Sequence, residues 1–326
     1  MTTVVKGESE DWTAREDVFQ VAPGVWGVKD IFVNYYMIRV DENETWFLID
    51  AGLKWSASNI IEQAGRLFGT GVSPFAIILT HGHFDHSGGL LSLLEVWDVP
   101  VYVHELELPY VTGLSPYPPA DTEAGGGIIS AFSFLFPQGP IDIGTHAKKL
   151  PGDGTAPGLL GWQIIHTPGI APGHISLYRS EDKIMIAGDA FLTTRIESVY
   201  HALTFKEQLS GPPKYFTYDW EDARSSLEKL AALSPEVVAT GHGKPMQGQA
   251  MRDQLDELLN NFEDVAIPSN GRYTLEAAIT NKFGVASWPE SPRVIPLYVK
   301  IIASAAIGFG TAILFFQLNG KRSNQS

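Results

Sequence analysis

The run Thr80-His81-Gly82-His83-Phe84-Asp85-His86-Ser87-Gly88-Gly89 puts three histidines and an aspartate within six consecutive positions, directly after the apolar stretch Ala76–Thr80. Side chains two apart in extended backbone share a face. His81 and His83 can therefore grip one ion, while Asp85 and His86, further round the turn, can face a second. Imidazole suits zinc and related transition metals, and a carboxylate adds a hard anionic ligand. The sequence contains no cysteine, so any metal must be held by these two ligand types. Gly82, Gly88 and Gly89 allow the chain to turn tightly around the ions. Three later residues are of the same kind. His174 closes the turn-rich run from His166, Asp189 follows the apolar strand Ile184–Ile186, and His242 lies in Gly241-His242-Gly243 after Val237–Thr240. Strand ends are where an α/β scaffold presents ligands from distant parts of a chain.

Together these seven residues resemble the metallo-β-lactamase superfamily, through its HxHxDH motif and the later His, Asp and His in the family's order. The resemblance spans roughly residues 18–250. It implies an α/β fold, a four-layer αββα sandwich with the site at one edge. It also implies a division of ligands: His81, His83 and His174 for a first metal, Asp85, His86 and His242 for a second, and Asp189 bridging both. Asp50, in Leu-Ile-Asp-Ala-Gly, matches a family position that supports the His-rich loop. Two divalent ions, zinc by ligand chemistry with iron or manganese also compatible, would hold a bridging hydroxide that is nucleophilic near neutral pH. Asp85 and Asp189 are the candidate catalytic residues, with Asp85 orienting the nucleophile and carrying a proton. The expected reaction is attack on an ester-like carbonyl in a carboxylic ester, thioester or lactone.

The bridging aspartate separates this chain from the true β-lactamases and places it nearer the hydroxyacylglutathione thioesterases, lactonases and phosphodiesterases. Some features depart from those branches. Lactonase relatives carry a tyrosine shortly after the bridging aspartate, whereas Asp189 is followed by Ala190, Phe191 and Leu192, and Tyr200 is the nearest tyrosine on that side. Arg195 and Lys206 are the candidates for holding substrate carboxylates. Ile170 stands where many relatives have histidine. A phosphodiesterase of the same fold and an iron-dependent oxidoreductase resembling persulfide dioxygenases are the alternatives.

The elements that must position these residues follow from pattern. Val25–Val28, Phe32–Val40, Trp46–Asp50, Ala76–Thr80, Val101–His104, Trp162–His166, His174–Tyr178, Ile184–Ile186 and Val237–Thr240 read as strands, rich in β-branched and aromatic residues. Ser56–Phe68, Gly89–Trp97, Trp220–Leu230 and Gln249–Phe262 read as helices. The alternation suggests α/β layering. Residues 105–160 are rich in Pro and Gly but carry aromatics, and read as a lid or pocket wall. Phe84, Tyr117, Phe132, Phe134 and Phe136 suggest an apolar pocket for a lipophilic small molecule.

The formal net charge of −14 disfavours nucleic acid as a partner. Residues 1–17 form a polar extension without a signal-peptide core. The hydrolase domain is expected over 18–265, a linker over 266–293 and a hydrophobic helix over 294–320. Within the last, Ile301–Leu318 is uncharged, with small residues at Ser304, Gly308 and Ala312. Its length is at the lower edge for a membrane span. A cytoplasmic location, membrane-associated through this helix, is the expectation.

Overall fold

The computed structural model describes residues 18–40, 45–125, 127–196 and 207–291. A seven-stranded sheet takes its strands in sequence order: β1 (Val18–Ala22), β2 (Val25–Asp30), β3 (Val33–Arg39), β4 (Trp46–Ile49), β5 (Ala76–Ile78), β6 (Val101–Val103) and β7 (Ala147–Lys149). The first four are antiparallel neighbours, and β4 to β7 run parallel. Helices α1 (Ala57–Phe68), α2 (Phe84–Ser87) and α3 (Leu90–Leu94) fall between β4 and β6. Two short helices, α4 (Leu108–Val111) and α5 (Gly127–Ala131), precede β7. A second sheet of five strands has the order β12-β11-β10-β9-β8. It is built from β8 (Trp162–His166), β9 (Ile175–Arg179), β10 (Ile184–Ile186), β11 (Val237–Ala239) and β12 (Met246–Gln247). Helices α6 (Trp220–Ala232), α7 (Gly248–Asn260) and α8 (Phe262–Val265) complete this half.

Side-chain alternation sorts these elements into layers. From β3 and β4, Tyr35, Met37, Trp46 and Leu48 pack with Ile60 and Ala64 of α1 and Leu90 and Leu93 of α3. The intervening residues Tyr36, Ile38, Phe47 and Ile49 meet Ile164, Ile175, Leu177, Ile184 and Ile186 of the second sheet. That sheet's other face, through Tyr178, Met185 and Val238, is covered by Leu227 and Leu230 of α6 and Met251, Leu255 and Leu258 of α7. The order is helix, sheet, sheet, helix. Strands covered on both faces read as continuous apolar runs, which is how β4, β5 and β10 are legible without alternation.

The structure departs from the sequence reading in two places. Residues 105–160 are not a single loop, since α4, α5 and β7 lie within them, and β7 pairs parallel with β6. Residues 266–291, read as linker, are tied to the domain. Tyr273 Oη donates to Pro119 O (2.6 Å), Arg272 N to an Asp121 carboxylate oxygen (2.6 Å) and Ala278 N to Tyr218 O (3.0 Å). β13 (Ile279–Asn281) and β14 (Gly284–Ser287) then pair antiparallel. Strands of three or four residues are too short to show a period, so the Pro-rich composition dominated the reading. The helix expected over 294–320 lies outside the described residues, as do the polar extension, Tyr200 and Lys206. Among the described residues no helix is long and apolar enough to cross a membrane.

Candidate metal centre

The edge where both sheets end collects all seven candidate ligands. β5 delivers His81 and leads into α2, which carries Asp85 and His86; His174 immediately precedes β9, Asp189 follows β10 and His242 follows β11. Each is almost fully buried. The rings of His81 and His83 have centroids 4.6 Å apart, those of His81 and His86 4.3 Å, and those of His81 and His174 5.1 Å. Asp189 Oδ2 is 3.3 Å from His242 Nε2 and 3.5 Å from His86 Nε2, and Asp85 Oδ2 is 3.6 Å from His242 Nε2. Ligand atoms of His81, His86 and Asp189 lie within 4.8 Å of one another, as do those of Asp85, His86 and His242.

At His81, His86 and His242 one ring nitrogen is fixed by the protein and the other faces the neighbouring ligands, whereas at His174 Nδ1 is fixed and Nε2 accepts from Asp189 N (2.9 Å). His242 Nδ1 donates to Phe32 O (2.7 Å), and His174 Nδ1 to Thr167 O (3.0 Å). His86 Nδ1 meets Asp50 Oδ2 at 2.8 Å. Thr80 Oγ1 donates to the same oxygen (2.8 Å) and lies 3.1 Å from His81 Nδ1. His83 has Nε2 3.3 Å from the Tyr218 hydroxyl, which leaves Nδ1. Such outer partners set tautomer and ring orientation for metal binding. Asp50 therefore reaches His86 directly and His81 through Thr80, in the supporting place the family resemblance implies for it. It adopts φ 62°, a left-handed conformation that aspartate tolerates better than most residues.

Three buried atoms, His81 Nε2, His86 Nε2 and Asp189 Oδ1, have no hydrogen-bond partner in the protein. Buried polar atoms are almost always satisfied. Orphans that converge on one point, all of ligand type, fit a divalent cation.

Protonation divides the cluster. Burial and the neighbouring imidazoles hold His81 well below the usual histidine range, and burial pulls His83 and His174 down to about 3. Burial acts the same way on His86 and His242, but the carboxylates of Asp189 and Asp85, with Asp50 acting also on His86, outweigh it and raise both. Asp189 is pushed up by burial but pulled well below the carboxylate range by His242 and His86. Burial raises Asp85 against the pull of the same two histidines.

Several positioning groups left no readable mark in the sequence. Asn34 of β3 donates through Nδ2 to Thr240 O (3.0 Å) and Gly243 O (2.7 Å), and Tyr36 Oη donates to Thr240 O (2.6 Å), which fixes the loop bearing His242. A buried Asn in an otherwise apolar strand was the available signal. Gly241 is required by close approach, because a Cβ there would lie 2.1 Å from Asp189 Oδ1.

Aromatic rings surround His83. Phe216 stands 4.7 Å from its ring and Tyr117 4.4 Å. Phe84 stacks on Phe136 at 5.4 Å, and Phe136 meets Phe216 at 6.0 Å and Tyr215 at 5.8 Å. Phe132 and Phe134 pair with each other (6.2 Å), and Phe134 is exposed. Tyr215 and Phe216 come from a segment that pattern did not single out. Arg195 is exposed, and Ile170 is buried in the core formed by the second sheet and α6.

The sandwich and its clustered ligands define a metallo-hydrolase, and the chain belongs to the metallo-β-lactamase superfamily, whose sequence profile matches residues 28–242. It is 47% identical over 248 residues to the probable metallo-hydrolase YflN of Bacillus subtilis, covering 76% of this chain and 94% of that protein. It is 26% identical over 227 residues to a hydroxyacylglutathione hydrolase of Xylella fastidiosa, covering 68% and 65%. Among solved structures, a β-lactamase domain protein from Burkholderia ambifaria matches in fold with a TM-score of 0.53 at 21% identity, covering 78% of each chain.

Proposed function

We propose that the protein is a two-metal hydrolase of lipophilic carboxylic esters, thioesters or lactones. The observation that carries this reading is the position of Asp189, whose Oδ2 lies within 3.5 Å of both His86 and His242 while its Oδ1 has no hydrogen-bond partner, and whose carboxylate also lies within 4.8 Å of a His81 ring nitrogen. One carboxylate thus faces two groups of ligands. His81, His83 and His174 would hold one divalent ion, Asp85, His86 and His242 the other, and Asp189 both. Ions so bound supply Lewis acidity and lower the pKa of water toward neutrality.

The chain's own residues do the rest. Asp85, raised by burial, is suited to take a proton from the nucleophile and return it to the leaving group. The Asp50–Thr80 relay and the Phe32 and Thr167 carbonyls keep the imidazoles oriented. Phe84, Phe136, Tyr215 and Phe216 would exclude water and receive an apolar acyl or alcohol portion. The relative named hydroxyacylglutathione hydrolase supports a thioester among the candidates. The net charge of −14 speaks against a polyphosphate backbone as substrate.

A panel of lactones, thioesters, carboxylic esters and phosphodiesters, assayed on zinc-loaded protein, tests the reading. Turnover confined to phosphodiesters, or oxygen uptake with a persulfide on iron-loaded protein, would replace it. Membrane association through 294–320 belongs to the same proposal. Exposed Ile279, Phe283 and Trp288 on and beside the β13–β14 pair support it, because aromatic residues favour membrane interfaces.

A further inference from the structure

Glu107 opens α4 within the segment read as a lid, and its side chain is entirely buried. Its carboxylate reaches two separate stretches of chain. One oxygen accepts from Gly82 N (2.9 Å) and the other from Gly173 N (2.8 Å). Tyr117 Oη donates to the first oxygen and itself accepts from Gly82 N (2.8 Å). Gly82 lies between His81 and His83, and Gly173 directly precedes His174. A single carboxylate therefore ties together the two turns that carry the three neutral imidazoles. Both turns come close to it. A Cβ on Gly82 would sit 2.8 Å from the Tyr117 hydroxyl, and one on Gly173 would sit 2.8 Å from Glu107 Cγ. Burying a carboxylate is costly unless its oxygens are satisfied, and here three donors converge on it. His86 and His242 have other supports, Asp50 and the Phe32 carbonyl, and although Asp50 through Thr80 and Ser87 through Gly82 O and His83 O also touch the His81–His83 turn, Glu107 is the carboxylate that joins that turn to the one carrying His174.

We propose that Glu107, assisted by Tyr117, is the positioning residue for the His81–His83–His174 half of the centre and sets its metal affinity independently of the other half. This rests on the two-ion reading proposed above. Glu107→Gln preserves shape but turns an amide NH₂ toward one of the two backbone N–H donors, so either the Gly173 turn loses its acceptor or the Gly82 turn keeps only the Tyr117 hydroxyl. Loss of such an outer partner weakens metal binding by about 10–100-fold.

The test is competition for zinc against a chromophoric chelator, in two backgrounds. His242→Ala leaves the first half to report, and His83→Ala leaves the second. Adding Glu107→Gln should weaken zinc by about 10–100-fold in the first background and leave the second unchanged. In the otherwise intact protein, excess zinc should restore kcat. Equal weakening in both backgrounds, or none in either, overturns the proposal. Thermal unfolding of the metal-free variants identifies a folding defect. If Glu107→Gln does not fold, Tyr117→Phe decides in its place, with selective weakening of the first half supporting the proposal and unchanged affinity overturning it. Wild-type protein that binds fewer than two ions overturns the two-ion reading instead, so the two failures are distinguishable.

Discussion

At the scale of residues, the centre is asymmetric. His81, His83 and His174 are neutral imidazoles through the ordinary pH range, whereas His86 and His242 are held toward the imidazolium form by Asp189 and Asp85. A metal ligand must be deprotonated. For a raised pKa, protons compete with the ion below that pKa, and the competition fades as pH rises through it. For pKa values near 3, no competition arises at any pH where the protein is used. Zinc binding to the Asp85–His86–His242 half should therefore weaken before the other half as pH falls, and should release protons wherever these two histidines are still charged. Calorimetry in buffers of differing ionisation enthalpy measures that release, and identical proton release from both halves would contradict the assignment. Asp50→Asn should cost about 10–100-fold in metal affinity or activity, since one carboxylate supports both His86 and Thr80. All seven candidate ligands were picked out in the sequence because each lies in a short Gly-flanked or strand-end motif matching the family's order, and the fold brings them to one place. Glu107, Asn34 and Tyr218 were not, since their partners lie from 10 to 209 residues away with no local motif to mark them, and only the fold brings them together.

At the scale of elements, the strands and long helices followed from pattern, with boundaries a residue or two off. α1, α6 and α7 carry apolar stripes that bury against the sheets. Leu227, fully buried on α6, is far in role from the centre. Leu227→Ala should cost about 2–5 kcal/mol of stability, read by denaturant unfolding, with metal content unchanged. Gly241→Ala should do the reverse. It leaves the core packing alone but drives a methyl toward Asp189 Oδ1, so metal content should fall while the metal-free protein still unfolds cooperatively. What pattern missed at this scale were short pieces, among them β1, β7, β12, the β13–β14 pair and the helices α4, α5 and α8. Their existence depends on neighbours rather than on their own periodicity.

At the scale of the whole molecule, two sheets meeting at one edge bring together ligands separated by up to 161 positions in the sequence, from His81 to His242. The aromatic wall joins a helix of the first half (Phe84), the 105–160 segment (Phe136) and the stretch before α6 (Tyr215, Phe216). Under the proposed function its role is substrate choice. Phe136→Ala should lower kcat/KM for long-chain esters by about 10–200-fold, the range for lost apolar contacts, while short-chain esters change little. Fractionation of full-length protein beside a chain ending at 291 tests the tail, and full-length protein found wholly in the soluble fraction would remove the membrane proposal.

The central claim is a two-ion centre that drives hydrolysis. Metal analysis of the purified protein, paired with hydrolysis of the preferred ester, thioester or lactone before and after chelation, tests it most directly. Two ions per chain are expected, with loss of turnover when they are stripped and recovery when zinc is returned. Undiminished hydrolysis by metal-free protein would contradict it.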